Sequence, residues 1–243
     1  KTGSVEFCCT VVERGVSEEG ELSIEILQGI HRVSEEEWDL LVPPDDPFLT
    51  HAFLTSLEES GSATKETGWM PLHILCRRGD RIVGGAPLYL KNHSYGEYIF
   101  DWGWAQAASR AGLPYYPKLV SAVPFTPASG RRLLIRPGES SISIERALLS
   151  GMIHVAKETR AQSLHVLFCT EEEHSSLGET PGFVPRITHQ YHWTNPGVED
   201  FDSWLDLMRS RRRKEIRRER RWPEKLGVRI HVVPGSDLKP EHW

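Results

Sequence analysis

The sequence predicts an α/β (α+β) fold, a mixed sheet with helices on both faces. Three observations predict it. Strand-like alternation and helix-like spacing take turns along residues 22–195, in the order strand, two helices, several strands, helix, strand, helix, strand. An antiparallel hairpin stands in the middle, where apolar runs at 70–77 and 81–91 flank the turn Arg78-Gly79-Asp80. Hydrophobic residues make up 39% of the 243 and charged residues 26%, enough apolar surface for a packed core.

The polar, Glu-rich segment 1–21 is expected to be disordered. Residues 22–30 (LSIEILQGI) alternate as a strand. Ser34 followed by Glu37 reads as a capping box for a helix that stops before Pro43-Pro44. A second helix runs over 51–60, with Ala52, Phe53 and Leu57 on one face, and ends at Gly61. After the hairpin come strands at 118–125 and 132–136, the second closed by Pro137-Gly138. Helical spacing returns over 143–159, where Ile144, Ala147, Leu148, Met152 and Val155 share a face. A strand at 163–169, a short helix at 171–177 and a last strand pair reaching Trp193 complete the domain 22–195.

Asn195-Pro196-Gly197 marks a boundary. The segment 196–226 reads as a linker and a helical stretch that opens on an acidic turn. Its residues 209–221 hold nine basic residues against two glutamates, in a chain whose net charge is −5, so charge is strongly polarised along the sequence. Residues 228–233 read as a further strand, and the chain stops soon after.

No apolar run of eighteen residues exists, so no membrane span is expected. Cys8, Cys9, Cys76 and Cys169 make no C-x-x-C pair. Reduced thiols are the expectation, which favours the cytoplasm or a plastid stroma. The chain opens on Lys1 rather than Met, which suggests a missing leader or a fragment. His189 and His192 fall on opposite faces of the expected strand, so no metal is expected.

The densest chemistry lies in 87–127. Lys91, His93, Tyr95, Glu97, Tyr98, Asp101, Trp102, Trp104, Tyr115, Tyr116 and Lys118 stand close together there. Aromatic walls exclude water and shift the pKa of neighbouring groups. Glu97 and Asp101 are the candidate bases or positioning groups, Tyr95 and Tyr98 the candidate proton donors, and Lys118 a contact for anions. The alternative reading makes the aromatics core and the carboxylates solvated or salt-bridged.

The segments HAFLTSLEESG (51–61), PLYLKNHSYGEYIFDWGWA (87–105), YYPKLVSAVPFTPASGRRLL (115–134), SLHVLF (163–168), HQYHWTN (189–195) and RSRRRKEIRRER (209–220) resemble the FemAB-like family of predicted N-acyltransferases. The family is also described by peptidoglycan biosynthesis and recognition. The resemblance covers about 25–243. It implies two tandem lobes of the GNAT acetyltransferase type, with residues 227–243 as the start of a truncated second lobe. It also implies transfer of an acyl or aminoacyl group to an amine. The donor would be acyl-CoA or aminoacyl-tRNA, with no tightly bound cofactor. In GNAT lobes a glycine-rich turn and a helix N-terminus cradle the carrier's pyrophosphate. The corresponding turn here is 136–141. Arg136 and Gly138 are its candidate phosphate contacts, but it has a single glycine, Pro137 lacks an N–H, and Glu139 would repel phosphate.

The cations of 209–221 lie all round a helix. Three readings stand: a solvated connector, a phosphate-binding surface for tRNA or a carrier through Arg213, Lys214, Arg217 and Arg218, or contact with an anionic membrane. Nothing points to DNA. The function expected is N-acyl transfer, and the alternative is a non-catalytic, degenerate GNAT-like module that binds a glycan, peptide or RNA.

Overall fold

The computed structural model describes residues 11–12, 21–189, 191 and 193–242. The chain divides into two compact units, one ending at Thr188 and one beginning at His189. The segment expected to be disordered, 1–21, lies outside the described residues apart from positions 11, 12 and 21.

The first unit opens with Val11–Val12 (β1) and Leu22–Leu27 (β2) in an antiparallel pair. Two helices follow, Glu35–Asp39 (α1) and His51–Glu59 (α2). The Ser34 hydroxyl accepts the Glu37 N–H at 3.3 Å, and the Thr50 hydroxyl accepts that of Phe53 at 3.4 Å, so both helices start on a side-chain cap. On α2 the structure buries Leu54, half-buries Phe53 and Leu57, and exposes Ala52. The inward stripe is therefore 53, 54 and 57, a three-four spacing, and Ala52 falls outside it.

The hairpin is present but broken in both arms. One arm is Met70–Pro71 (β3) and His73–Arg78 (β4), the other Arg81–Ala86 (β5) and Tyr89–Lys91 (β6). Pro87 has no N–H to give to a ladder, so the second arm cannot pass through it as regular strand. Leu72 N–H to Leu88 O, at 2.8 Å, keeps the arms joined across the break. One hairpin thus feeds two sheets.

After it come a helix, Trp102–Arg110 (α3), and the strands Lys118–Ser121 (β7) and Leu134–Ile135 (β8). The unit closes with the helix Ser141–Thr159 (α4), the strand Leu164–Val166 (β9) and the helix Glu171–Glu179 (α5). One sheet has the order β1-β2-β4-β5-β8 and the other β3-β6-β7-β9. Both β7 and β8 run antiparallel to the hairpin arm beside them, and only β7 pairs with β9, in parallel. The strands β8 and β9 therefore lie in different sheets.

The larger sheet carries helices on both faces, as expected. On one face Ile24, Ile74, Cys76, Val83 and Ala86 meet Ile144, Ala147, Leu148, Met152 and Val155 of α4. On the other, Leu27, Leu75, Ile82 and Leu134 meet Trp38, Leu41, Leu49 and Leu54. Ile74, Leu75 and Cys76 alternate between the two, the period-two signature of a strand. Each Ile, Leu, Val or Met among these side chains contributes about 1.5–3 kcal/mol on burial. The approach of α4 depends on Gly84, where a Cβ would stand 2.5 Å from the Ile144 methyl.

Residues 102–110 form a helix, for which the sequence reading made no assignment. Two expectations are corrected. The strand pair expected up to Trp193 is absent among the described residues. Residues 228–233 form no strand either; Val228, Ile230 and Val232 are exposed. Alternation predicts a strand only where a sheet edge is available to bury one face.

The second unit contains Phe201–Asp206 (α6), Ser210–Arg220 (α7) and Trp222–Lys225 (α8). Asp200 caps α6, accepting the Ser203 N–H at 2.8 Å. Among the described residues no helix is long and apolar enough to cross a membrane.

Candidate functional site

Strands β6 and β7 pair in a register that sets Lys91 opposite Lys118. Both lysines are fully buried. Two like charges directly opposite on a sheet repel, and ammonium groups removed from water need anionic partners. Residues 92–101 supply these by folding back over the pair.

The Lys118 ammonium donates to Ser94 Oγ at 2.9 Å, Glu97 Oε2 at 2.8 Å and Asp101 Oδ2 at 2.5 Å. Those three bonds use all three of its N–H donors. The Tyr115 hydroxyl donates to Asp101 Oδ2 at 2.6 Å, and the Tyr116 hydroxyl bonds Ser94 Oγ at 2.7 Å. Lys91 donates to the Tyr95 carbonyl at 3.1 Å, lies 3.4 Å above the Trp69 ring, and stands 3.8 Å from Glu97 Oε1. Two cations and two carboxylates thus form one hub.

Burial draws Lys91 down to about 7, against the pull of the Glu97 carboxylate. Burial raises Glu97, against the hydrogen bond from Lys118. Burial also works to raise Asp101, but the hydrogen bonds from Lys118 and Tyr115 outweigh it and hold that group at about 2. Tyr115 is raised by burial and by Asp101. His165 is lowered to about 4 by burial and by the Lys118 charge. Two adjacent acids are therefore pushed in opposite directions, and Lys91 holds its proton weakly near neutral pH.

Access limits what the hub can do. Glu97 is 3% exposed and Asp101 1%, so neither carboxylate reaches solvent in this conformation. Glu97 Oε1 and Asp101 Oδ1 are buried without a hydrogen-bond partner. What the hub does reach is the segment above it. Tyr95, Tyr98, Phe100, Trp102 and Trp104 are all exposed, five aromatic rings within ten residues. Tyr95 meets Trp102 edge-on at 4.9 Å, and Phe100 stacks on Trp102 at 6.3 Å. The hub fixes the backbone of this strap through Ser94, the Tyr95 carbonyl, Glu97 and Asp101. Exposed apolar surface of this density marks a recognition site.

Of the residues singled out in the sequence, Glu97, Asp101 and Lys118 come together. Tyr95 touches the hub only through its carbonyl, and its ring belongs to the strap. Tyr98 is exposed, at a φ of +58°. Lys91, Ser94, Tyr115 and Tyr116 complete the hub. Lys91, Tyr115 and Tyr116 stood in the titratable cluster of the sequence, but the partnership of Lys91 with Lys118 depends on register.

Arg136 and Gly138 lie elsewhere, in the turn before α4. The Arg136 guanidinium donates to the Ile82 carbonyl at 3.2 Å, and Gly138 takes a φ of +86°. Glu139 pairs with Arg78, and with Arg81 at 3.3 Å, so its charge is compensated rather than aimed at a ligand. The residues just before β8 are tied to the end of β9 and to α5. Arg132 Nε donates to the Leu167 carbonyl at 2.8 Å, and Glu173 Oε1 accepts the backbone N–H groups of Arg132 and Leu133 at 2.8 and 2.7 Å.

In the second unit the basic helix is two-sided. Arg213 pairs with Asp206 at 2.6 Å, Arg217 approaches Asp202 at 3.6 Å, and Arg220 stacks over Phe201 at 4.1 Å. These three face α6. At about 100° per residue, Arg211, Lys214 and Arg218 fall on the neighbouring face, spaced by three and four, and Arg221 continues that row at the C-cap. All four are exposed, and among the described residues none has an ion pair. Of the cations that go all round in the sequence, Arg213 and Arg217 thus meet acids of α6, Arg212 meets Glu215, and this row stays open. Lys214 and Arg218 belong to the open side, Arg213 and Arg217 to the paired side.

The FemAB-like family, described by peptidoglycan biosynthesis and recognition, matches residues 29–243. The chain belongs to the FemAB-like family. No curated protein matches it. Among solved structures, it is similar to an aminoglycoside N-acetyltransferase, AAC(6')-Iy, in complex with CoA. The identity is 8% and the TM-score 0.44, over 74% of this chain and 99% of that one. It is also similar to aminoglycoside 6'-N-acetyltransferase AAC(6')-Ih from Acinetobacter baumannii, at 12% identity and a TM-score of 0.41, over 72% and 99%. A ribosomal-protein-alanine N-acetyltransferase from Brucella melitensis biovar Abortus 2308 matches at 13% identity and a TM-score of 0.38, over 74% and 99%. No residue role passes from these enzymes to this FemAB-like chain.

Proposed function

We propose that this FemAB-like protein serves N-acyl transfer, moving an acyl or aminoacyl group from a phosphate-bearing carrier, acyl-CoA or aminoacyl-tRNA, to an amine. The observation that carries this reading is the open stripe of Arg211, Lys214, Arg218 and Arg221, which extends about 15 Å along the helix axis at 1.5 Å per residue. Unpaired cations repeated on one face suit a chain of phosphates better than a single carboxylate. The aromatic strap 95–104 is the proposed seat of the acceptor, since rings of this kind stack on the flat faces of sugars and amides. Glu97, Asp101 and Lys118 act as positioning residues that hold the strap.

The transfer step needs a base to take the proton of the attacking amine. Lys91, held near 7, is the group in the hub whose proton affinity suits that task, provided the strap lifts. A second reading, a binding module without catalysis, is favoured by one observation: the turn before α4 carries Glu139, and the nearby cations Arg78 and Arg81 are paired to it rather than open to a phosphate.

Incubation of the chain with radiolabelled acetyl-CoA or aminoacyl-tRNA and a muropeptide amine separates the two. Transfer that is lost in a variant with all four stripe cations changed to Ser supports the first reading. Binding of the muropeptide without transfer from either donor leaves the second. Glu97→Gln should raise KM for the acceptor more than it lowers kcat, which a merely structural change would not do.

A further inference from the structure

A pocket of about 370 Å³ lies apart from the hub, between the start of the 30–32 turn, the end of α2 and the segment 63–71. Glu58, Glu59, His31 and Lys65 are among its lining, with Met70 and Pro71 as an apolar wall. Glu58 is built into the fold. Its Oε2 accepts the Ile30 N–H at 2.9 Å, and its Oε1 meets His73 Nε2 at 2.8 Å. The His73 side chain is fully buried, and that of Glu58 is 11% exposed.

The tautomer of His73 follows from its other nitrogen. Nδ1 lies 3.2 Å from the Leu88 N–H, which can only donate. The ring proton is therefore on Nε2 and points at Glu58. A second proton on Nδ1 would confront the Leu88 N–H inside the core. The His73 ring thus serves Glu58 as a hydrogen-bond donor through Nε2, and no Lys or Arg is ion-paired with Glu58 among the described residues. A carboxylate has about four lone-pair sites, and two of them are used. Burial raises the neighbouring Tyr89 hydroxyl, and the Glu58 charge raises it further. That hydroxyl is buried without a hydrogen-bond partner.

We propose that this pocket is a binding site for a small primary ammonium ion with a short apolar stem. The ammonium donates to the free lone pairs of Glu58, Glu59 adds attraction at the rim, and the stem lies on Met70 and Pro71. Lys65 is the group that competes with the guest. The inference does not rest on the transfer reading, because it concerns binding alone.

The test is titration of the full chain with n-butylammonium, with n-butanol and butyrate as controls, followed by amide NMR shifts and calorimetry. Saturable butylammonium binding that moves the Ile30 amide is expected, with n-butanol at least roughly tenfold weaker. Lys65→Gln should tighten butylammonium, and Glu59→Gln should weaken it a few-fold. Glu58→Gln should abolish it, although that variant strands one of two buried donors and can lose stability; the Lys65 and Glu59 variants keep the fold. Equal binding of the alcohol, no saturable shift, or no response to Lys65→Gln overturns the proposal.

Discussion

The hub around Lys118 and the helix α7 are both built from charge, yet they use it in opposite ways. In the hub, every cation meets an anion, a carbonyl or an aromatic face, and water is excluded. On α7, Arg213 and Arg217 pair with acids of α6, Arg220 lies over Phe201 and Arg212 pairs with Glu215, while Arg211, Lys214 and Arg218 are exposed without an ion pair among the described residues. The difference teaches that burial, rather than the count of charged residues, decides whether a charge holds the fold together or remains free for a partner. A buried ammonium must be matched at once, because the unmatched ion costs several kcal/mol. An exposed guanidinium costs little when unmatched, so α7 can keep such cations in reserve.

The largest effect that would sharpen this contrast is expected from Lys118→Met. It leaves Glu97 and Asp101 buried without their main donor and should destabilise the protein by about 3–5 kcal/mol. Urea unfolding measures it, and a loss under 1 kcal/mol would show that water enters the hub. By the same measurement, Arg213→Gln should cost no more than about 0.2–1 kcal/mol, since its bond to Asp206 is exposed.

The second effect concerns polyanions. Changing Arg211, Lys214, Arg218 and Arg221 to Ser should weaken binding of a short RNA by tens of times. It should also flatten the salt dependence by close to one unit of slope per cation removed, with Tm unchanged. The same set of changes at Arg213, Arg217 and Arg220 should do much less. Equal losses from the two sets would erase the two sides of α7.

The third concerns pH. His165 has a folded value of about 4 against 6.5 for the free group. Between those limits the unfolded chain binds the extra proton, so stability should fall as pH falls from 6.5 to 4. His165→Asn should flatten that slope. Lys91 acts with the same sign at higher pH: its folded value of about 7 against 10.5 means that stability falls as pH drops across that window. Asp101 contributes stability that is present above 3.8 and lost as pH falls to about 2. No comparable slope is expected from α7. The smallest effect is expected from Arg212→Gln, which removes an exposed bond to Glu215 and should leave the urea midpoint unchanged.

Much of this was legible before any coordinates. The face of α4 was readable because Ile144, Ala147, Leu148, Met152 and Val155 repeat at helical spacing, and such a stripe has only one way to hide from water. The cap at Ser34 was readable because capping is local. The expected strand at 228–233 failed for the converse reason: alternation is a statement about two faces, and among the described residues nothing covers either. The aromatic run 95–104 gave no period, since its rings line an exposed strap instead of packing inward. Along the chain itself lay the elements, the hairpin, the titratable cluster and the excess of cations. What tertiary structure decided was pairing: that Lys91 lies across from Lys118, that Glu97 and Asp101 turn inward while Tyr98 turns out, and which cations of α7 find acids. Those outcomes depend on strand register and on contacts between residues far apart in sequence, which local spacing does not encode.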